Sequence, residues 1–309
     1  MTLGDHCAKR FCHATVAAFL VGLLLVPGTP LASARLYGQG LLWQLEAQGY
    51  PTSYLFGTVH LSDERVLRLP EPVLQAFDGG QRCLFELIVP QDGFISAIAE
   101  MRLPEGIYLR DIIGDDIYSK VVVAAGRYGI STAAIGRTHP YALMVAFRQP
   151  ASEWQRRRAG WAFLDLALQN EARAMGKAIY PLETIEEQMA IGAGEERNIT
   201  LILNGMIENS LRMEQEMEAM VQHYLRRDLD AIFSQEEGRV ALLPEDQRQA
   251  YANFMTRLLD RRNEVMVERM LPHLQAAKSF VAIGAAHLSG KQGVLHLLEQ
   301  RGFSVTRIY

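Results

Sequence analysis

Two histidines far apart in the chain share one local setting. His60 ends the run Tyr54-Leu-Phe-Gly57-Thr-Val-His60-Leu, and His287 ends Phe280-Val-Ala-Ile-Gly284-Ala-Ala-His287-Leu. Each run reads as a short apolar strand that stops at a glycine, with the histidine three residues on, where an open α/β sheet keeps its ligand crevice. Imidazole is a good ligand for zinc, manganese or cobalt, and a pair of imidazoles needs a carboxylate or water to complete the shell. A single such histidine is more often structural; the matched pair reads as one divalent-metal site built from both ends of the chain.

Two glutamates belong with them. Glu86 interrupts Leu84-Phe85-Glu86-Leu87-Ile88, and a carboxylate inside an apolar strand is costly unless it is paired, at an edge or bound to a cation. The bland alternative is a solvated strand face. Glu183 follows Ala178-Ile-Tyr-Pro-Leu182, another strand terminus. Thr184 and Glu187 have capping-box spacing and so are explained by the helix they start, whereas Glu183 lies just outside the box. Two histidines and two glutamates at four strand ends suit a divalent ion with a bound water, one glutamate completing the shell and the other taking the water's proton. The sequence leaves open which does which, with a slight preference for Glu183 as ligand. Gln188 lies in the first turn after the box, where it either points back at the site or is a surface residue.

Further along, Asn263 falls on or beside the apolar stripe of a late helix, so its amide needs a partner. Arg262 beside it is a candidate to stabilise an oxyanion or orient a carboxylate, against the nearly equal reading of a solvated or ion-paired arginine. Asp165 is first an acid at a helix start, and secondarily a support for a histidine. Ser62 and Ser289 follow the two histidines at matching positions, and their hydroxyls are expected to cap following turns. His139 before Pro140 looks like a helix-entry residue. His223, His273 and His296 sit in helical segments with no second histidine at ligand spacing, and neither a His-Glu-x-x-His helix nor a Gly-x-Ser-x-Gly elbow occurs.

These residues need a frame. The first 34 residues are expected to be a cleavable signal peptide: Lys9 and Arg10, the apolar run Ala17 to Val26, breakers Pro27, Gly28 and Pro30, and the small-residue site Ala32-Ser-Ala34. The apolar run is shorter than the roughly 20 residues of a spanning helix, which disfavours an uncleaved anchor and any stable membrane span after processing. Of three cysteines, Cys7 and Cys12 leave with that leader; Cys83, in an apolar strand pattern, reads as a buried inert thiol. A net charge of -4 gives no reason to expect nucleic acid.

Residues 35–309 then read as one α/β domain: a mixed central sheet built from both chain ends, flanked by helices, with a mainly helical middle inserted at about 95–160 and 195–270. Strands are expected at Gly40 to Leu45, Ser53 to Gly57, Cys83 to Val89, Ala178 to Leu182 and Phe303 to Ile308. Helices are expected near Phe94 to Met101, Asp116 to Arg127, Thr132 to Phe147, Asp165 to Met175 and Lys291 to Gln300. A nearly continuous helix is expected from Glu195 to Glu236, with another from Pro244 to about Met270. The methionine stripe Met206, Met213, Met217 and Met220 reads as packing rather than a soft-metal site.

With those residues assembled, the chain resembles the TraB/GumN family, related to the Tiki metalloproteases. The resemblance rests on the two Gly-x-x-His motifs, the strand acid Glu86, Leu182-Glu183-Thr184 with Gln188 downstream, Arg262-Asn263 in a late helix, and Gly290 and Gly293 after the last histidine. It implies a divalent-metal-dependent peptidase using manganese, cobalt or zinc, with His60, Glu86, Glu183, Arg262, Asn263 and His287 as its site. The expected setting is periplasmic or secreted, and the expected partner is an exported or extracellular peptide or protein. The runner-up is a protein that sequesters peptide or metal in the same crevice without turnover; an ester or lactone hydrolase comes third.

Overall fold

The computed structural model describes residues 35–89, 101–190, 196–208, 213–241 and 243–309. The expected leader, and the helix near 94–101 except its last residue, lie outside them.

The sheet has six strands: β1 (Leu42–Glu46), β2 (Ser53–Thr58), β3 (Arg82–Phe85), β4 (Ala178–Pro181), β5 (Ser279–Gly284) and β6 (Ser304–Arg307), in the order β4-β3-β5-β2-β1-β6. β1 and β2 form an antiparallel hairpin across the Gly49-Tyr50-Pro51 turn. β4, β3, β5 and β2 run parallel, and β6 pairs antiparallel with β1. Strands of the two chain ends therefore lie side by side, Gly57 opposite Ile283 and Thr58 opposite Gly284. All of β5 but its terminal glycine is buried, as expected of a strand covered on both faces. Gly57 is required there: a Cβ would stand 2.6 Å from Leu288 Cδ1 and 3.1 Å from the Ala285 backbone.

The helices are α1 (Glu64–Leu67), α2 (Glu71–Gly79), α3 (Leu109–Arg127), α4 (Thr132–Ile135), α5 (Pro140–Phe147), α6 (Ala151–Arg158), α7 (Leu164–Ala174), α8 (Ile185–Ala190), α9 (Glu196–Glu208), α10 (Met213–Leu225), α11 (Leu229–Ala241), α12 (Glu245–Met255), α13 (Arg261–Ala276) and α14 (Val294–Gln300). The sheet and α2, α7, α13 and α14 enclose one apolar cluster around Phe56, Phe85, Phe280 and Met266. The middle helices enclose a second, around Phe147, Trp154, Leu203 and Phe254. Met206 packs on the second cluster and Met217 and Met220 on the first, as a packing stripe would.

Several elements differ from expectation. β3 ends at Phe85 rather than Val89, although the Glu86 backbone still donates to the Ala282 carbonyl at 3.2 Å and accepts the Glu183 N–H at 2.9 Å. Asp116 to Arg127 belongs to a longer segment starting at Leu109, kinked at Gly114. The expected helix over Thr132 to Phe147 is two, interrupted before Pro140. The long helix through Glu236 breaks between α10 and α11, where Arg227 adopts a left-handed φ of 61°. The later one is continuous in direction, but a π turn at Thr256–Asp260 separates α12 from α13. The last helix starts at Val294, three residues later than expected. Among the described residues, no helix is long and apolar enough to cross a membrane.

Candidate metal centre

At the carboxyl ends of the parallel strands, eight side chains singled out in the sequence form one connected cluster. β2 runs into His60, β3 into Glu86, β4 into Glu183 and β5 into His287, while α7 contributes Asp165, α8 Gln188, and α13 Arg262 and Asn263. Parallel strands place all four ends at the same edge, which is why residues so distant in sequence meet.

Each imidazole is held by its Nδ1. His60 Nδ1 lies 2.8 Å from Asp165 Oδ2, and Asp165 Oδ1 accepts the Thr58 hydroxyl at 2.6 Å. His287 Nδ1 lies 2.6 Å from Asn263 Oδ1, whose amide nitrogen donates to the Gln292 carbonyl at 2.7 Å. A carboxylate and an amide oxygen only accept, so each ring carries hydrogen on Nδ1 and, in its neutral form, presents Nε2 as a lone pair. This is how metal-ligating histidines are oriented.

The two rings are biased in opposite directions. Burial pushes His287 down to about 3, with Glu86 opposing and Arg262 reinforcing, so the ring is neutral. For His60, burial of the inner edge disfavours charge, but Asp165 more than offsets it and its pKa is raised. The His60 side chain is 46% exposed, so solvent reaches its rim, whereas the His287 side chain is 4% exposed.

Arg262 holds the glutamates. Its Nε lies 2.8 and 3.0 Å from the two oxygens of Glu183, its Nη2 bonds both Glu183 and Glu86 Oε1, and its Nη1 donates to the Leu258 carbonyl at 2.9 Å. Gln188 Nε2 adds bonds of 3.2 Å to Glu86 and 3.3 Å to Glu183. The capping box forms as expected, Thr184 N–H donating to Glu187 at 2.9 Å and Glu187 N–H to Thr184 at 3.2 Å. Burial alone would raise the Glu86 pKa; Arg262, the two histidines and the Gly284 N–H hold it well below the carboxylate range. The triad of two carboxylates and one guanidinium leaves one negative charge beside the imidazoles.

Glu86 Oε2 accepts the Gly284 N–H at 3.1 Å and lies 3.7 Å from His287 Nε2. A Cβ on Gly284 would be 3.3 Å from Glu86 Oε2, 3.5 Å from His287 Cδ2 and 4.0 Å from His60 Nε2. Three donor side chains thus border one small volume beside Gly284. Among the described residues, no group of three or more His, Cys, Asp or Glu side chains is placed so that it could hold a metal ion. The donor types, two imidazole Nε2 atoms and a carboxylate oxygen, are those a divalent cation takes.

Other residues in the site are not evident from sequence. Gln149 Nε2 donates to the His60 carbonyl at 2.8 Å, and Arg157 donates to the same oxygen. Arg157 pairs with Glu153 at 3.2 Å, both side chains being buried, and Glu153 accepts the Ser62 N–H at 2.8 Å. The Arg157 guanidinium lies 4.5 Å over Phe163, whose ring meets His60 edge-on. Arg157 belongs to the run Arg156-Arg157-Arg158, whose default reading is a solvated face. Tyr224 donates its hydroxyl to the Gly57 carbonyl at 2.8 Å, pinning the end of β2. Ser62 and Ser289 do not cap as expected: both hydroxyls are buried without a hydrogen-bond partner among the described residues. Elsewhere, His139 caps α5 by accepting the Tyr141 N–H, His273 packs on Tyr180 and His296 pairs with Glu299. Cys83 is a buried free thiol.

The profile of the TraB/PrgY/gumN family matches residues 41–307. Metalloprotease TIKI1 of Danio rerio is 27% identical over 85% of this chain and 62% of its own length. Metalloprotease TIKI2 of Xenopus tropicalis is 28% identical over 85% of this chain and 59% of its own, and an uncharacterized protein of Treponema pallidum is 21% identical over 96% and 91%. The chain thus spans about six tenths of the length of the TIKI relatives it matches. No solved structure matches. On the match across nearly all the described residues, the chain belongs to the TraB/PrgY/gumN family.

Proposed function

We propose that this protein is a divalent-metal-dependent hydrolase, a peptidase acting outside the cytoplasm on an exported or extracellular peptide. The observation that carries the reading is the convergence of His60 Nε2, Glu86 Oε2 and the His287 ring on the gap above Gly284. The likeness to proteins named metalloproteases adds to it.

In this reading His60, His287 and Glu86 hold manganese, cobalt or zinc. Such an ion supplies Lewis acidity and a more acidic bound water. Asp165 and Asn263 keep the two Nε2 lone pairs facing the gap. Glu183, with both oxygens on Arg262, fixes the arginine that in turn orients Glu86, rather than acting as ligand or base. The strongly acidic Glu86 suits a ligand better than a base, since a good general base has a pKa near the working pH. The open side at His60 gives the departing proton a path to solvent.

The test incubates purified protein with a diverse peptide library, with manganese, cobalt or zinc and with chelator. Metal-dependent cleavage is expected; peptide retained intact in the presence of metal would instead establish the sequestering alternative. Glu86→Gln should lose metal, because an amide is a poorer ligand, whereas Glu183→Gln should keep it. The reverse result would overturn the division of roles.

A further inference from the structure

Among the ionisable and amide side chains around the cluster, almost every one is already engaged. Arg262, the natural candidate to stabilise an oxyanion, has Nε and Nη2 on the glutamates and Nη1 on the Leu258 carbonyl. Both ends of the Asn263 amide are used, and Gln188 donates to the glutamates. Two groups remain, and both come from the α5 segment.

The Tyr141 hydroxyl and the Arg148 guanidinium have neither a hydrogen bond nor an ion pair among the described residues. Their position ties them to the site. Gln149, adjacent to Arg148, donates to the His60 carbonyl, so the end of α5 rests on the His60 loop. Tyr141 is buried, its ring 6.4 Å from that of Phe254, just before the π turn that leads to Arg262. Its phenol feels the charges of Arg262, Arg148, Glu86 and Glu183, and Arg148 also acts on His287. Burial raises the Tyr141 pKa, against the pull of the two arginines, so the hydroxyl keeps its proton. Tyr141 is thus a buried donor within electrostatic reach of the cluster, and Arg148 an exposed cation next to the residue that holds the His60 loop.

We propose that Tyr141 and Arg148 bind the substrate, Tyr141 donating to the carbonyl oxygen of the amide being hydrolysed and Arg148 pairing with a carboxylate of the peptide. The substrate class is then an acidic peptide. This rests on the hydrolase reading above. In the reaction, the oxygen of water forms the new C–O bond and the C–N bond breaks. The amine leaves with one of water's protons, and the new carboxylic acid gives another proton to solvent. Tyr141 keeps its own proton, and its hydrogen bond strengthens as negative charge develops on the carbonyl oxygen.

Tyr141→Phe and Arg148→Gln in the full-length protein test this, with three readouts: manganese titration, cleavage of matched acidic and neutral peptides, and binding of a peptide phosphonamidate, a tetrahedral anion. Both variants should bind manganese as the parent does. Tyr141→Phe should lower kcat about 100-fold with KM little changed, and weaken phosphonamidate binding comparably. Arg148→Gln should raise KM for acidic peptides about 10-fold and leave neutral peptides unaffected, with Arg148→Lys partly restoring it. Parental kcat and phosphonamidate affinity in Tyr141→Phe, or an equal KM change for both peptide classes in Arg148→Gln, would overturn the proposal. If the parent cleaves no peptide, the hydrolase reading fails on its own. Phosphonamidate binding then decides the pair: binding lost in Tyr141→Phe supports it, and no binding by the parent ends it.

Discussion

The two Gly-x-x-His loops begin alike and end differently. The loop at His60 is half open to solvent, backed by the charged Asp165 and gripped from the helical middle by Gln149 and Arg157. The loop at His287 is closed, backed by the neutral amide of Asn263 and packed within the sheet's own core. One ring is biased toward charge and the other kept neutral. A repeated motif thus fixes where two Nε2 atoms point, while the partner on Nδ1 sets how basic each is.

The largest effect is expected at the residue between the two glutamates. Arg262→Met removes the only guanidinium bonded to Glu86 and Glu183 among the described residues and should cost about 3–5 kcal/mol of stability. Urea unfolding checks this, and a loss below about 1 kcal/mol would mean that the carboxylates find other partners.

The comparison itself is tested by the partners of the rings. Asp165→Asn should weaken manganese binding by about 10–100-fold, and Asn263→Ala by a factor nearer 10, because only the first removes a charge from behind a ligand. Titration of variants shown to be folded by circular dichroism measures both; the opposite order would undo the distinction between the loops. Arg157→Lys should weaken metal binding only a few-fold, since an ammonium cannot hold Glu153 and reach the His60 carbonyl in the same planar geometry. That loss should be non-additive with His60→Ala and additive with His287→Ala. Equal coupling to both histidines would show that α6 acts on the whole site. The smallest effect concerns Cys83, whose thiol burial pushes up to about 11 against the opposing charge of Lys177. It should resist iodoacetamide at pH 8 until the protein is unfolded, and rapid labelling of the folded protein would contradict that burial.

What sequence reveals here is what short spacing encodes. Glycine followed by histidine at the end of an apolar run, an acid within such a run and a capping box with one acid outside it are local patterns, and they led to His60, Glu86, Glu183 and His287. Asn263 stood out because an amide on an apolar stripe needs a partner. Asp165 was ambiguous because an acid in a first helical turn is explained without any site. Gln149, Glu153 and Arg157 were illegible because their contacts with the His60 loop cross 89 to 97 residues of chain. The π turn left no mark, since Thr256 to Asp260 is composed as an ordinary helix would be. The break at Arg227 lacks the glycine that usually signals a left-handed residue.

The place of β5 sets an order of events during folding. It lies between β3 and β2, and Ser279 bonds to Ser53 across 226 residues of chain. Until that late segment arrives, β2 and β3 have no strand to join them, and the ends bearing His60 and Glu86 have nothing to align them. Closure of so long a loop is slow, and the unjoined strand edges are open to wrong pairing while it is awaited. A chain that has not yet inserted β5 therefore cannot present its four strand ends at one edge, and the side-chain cluster they carry is completed by the last part of the chain to arrive.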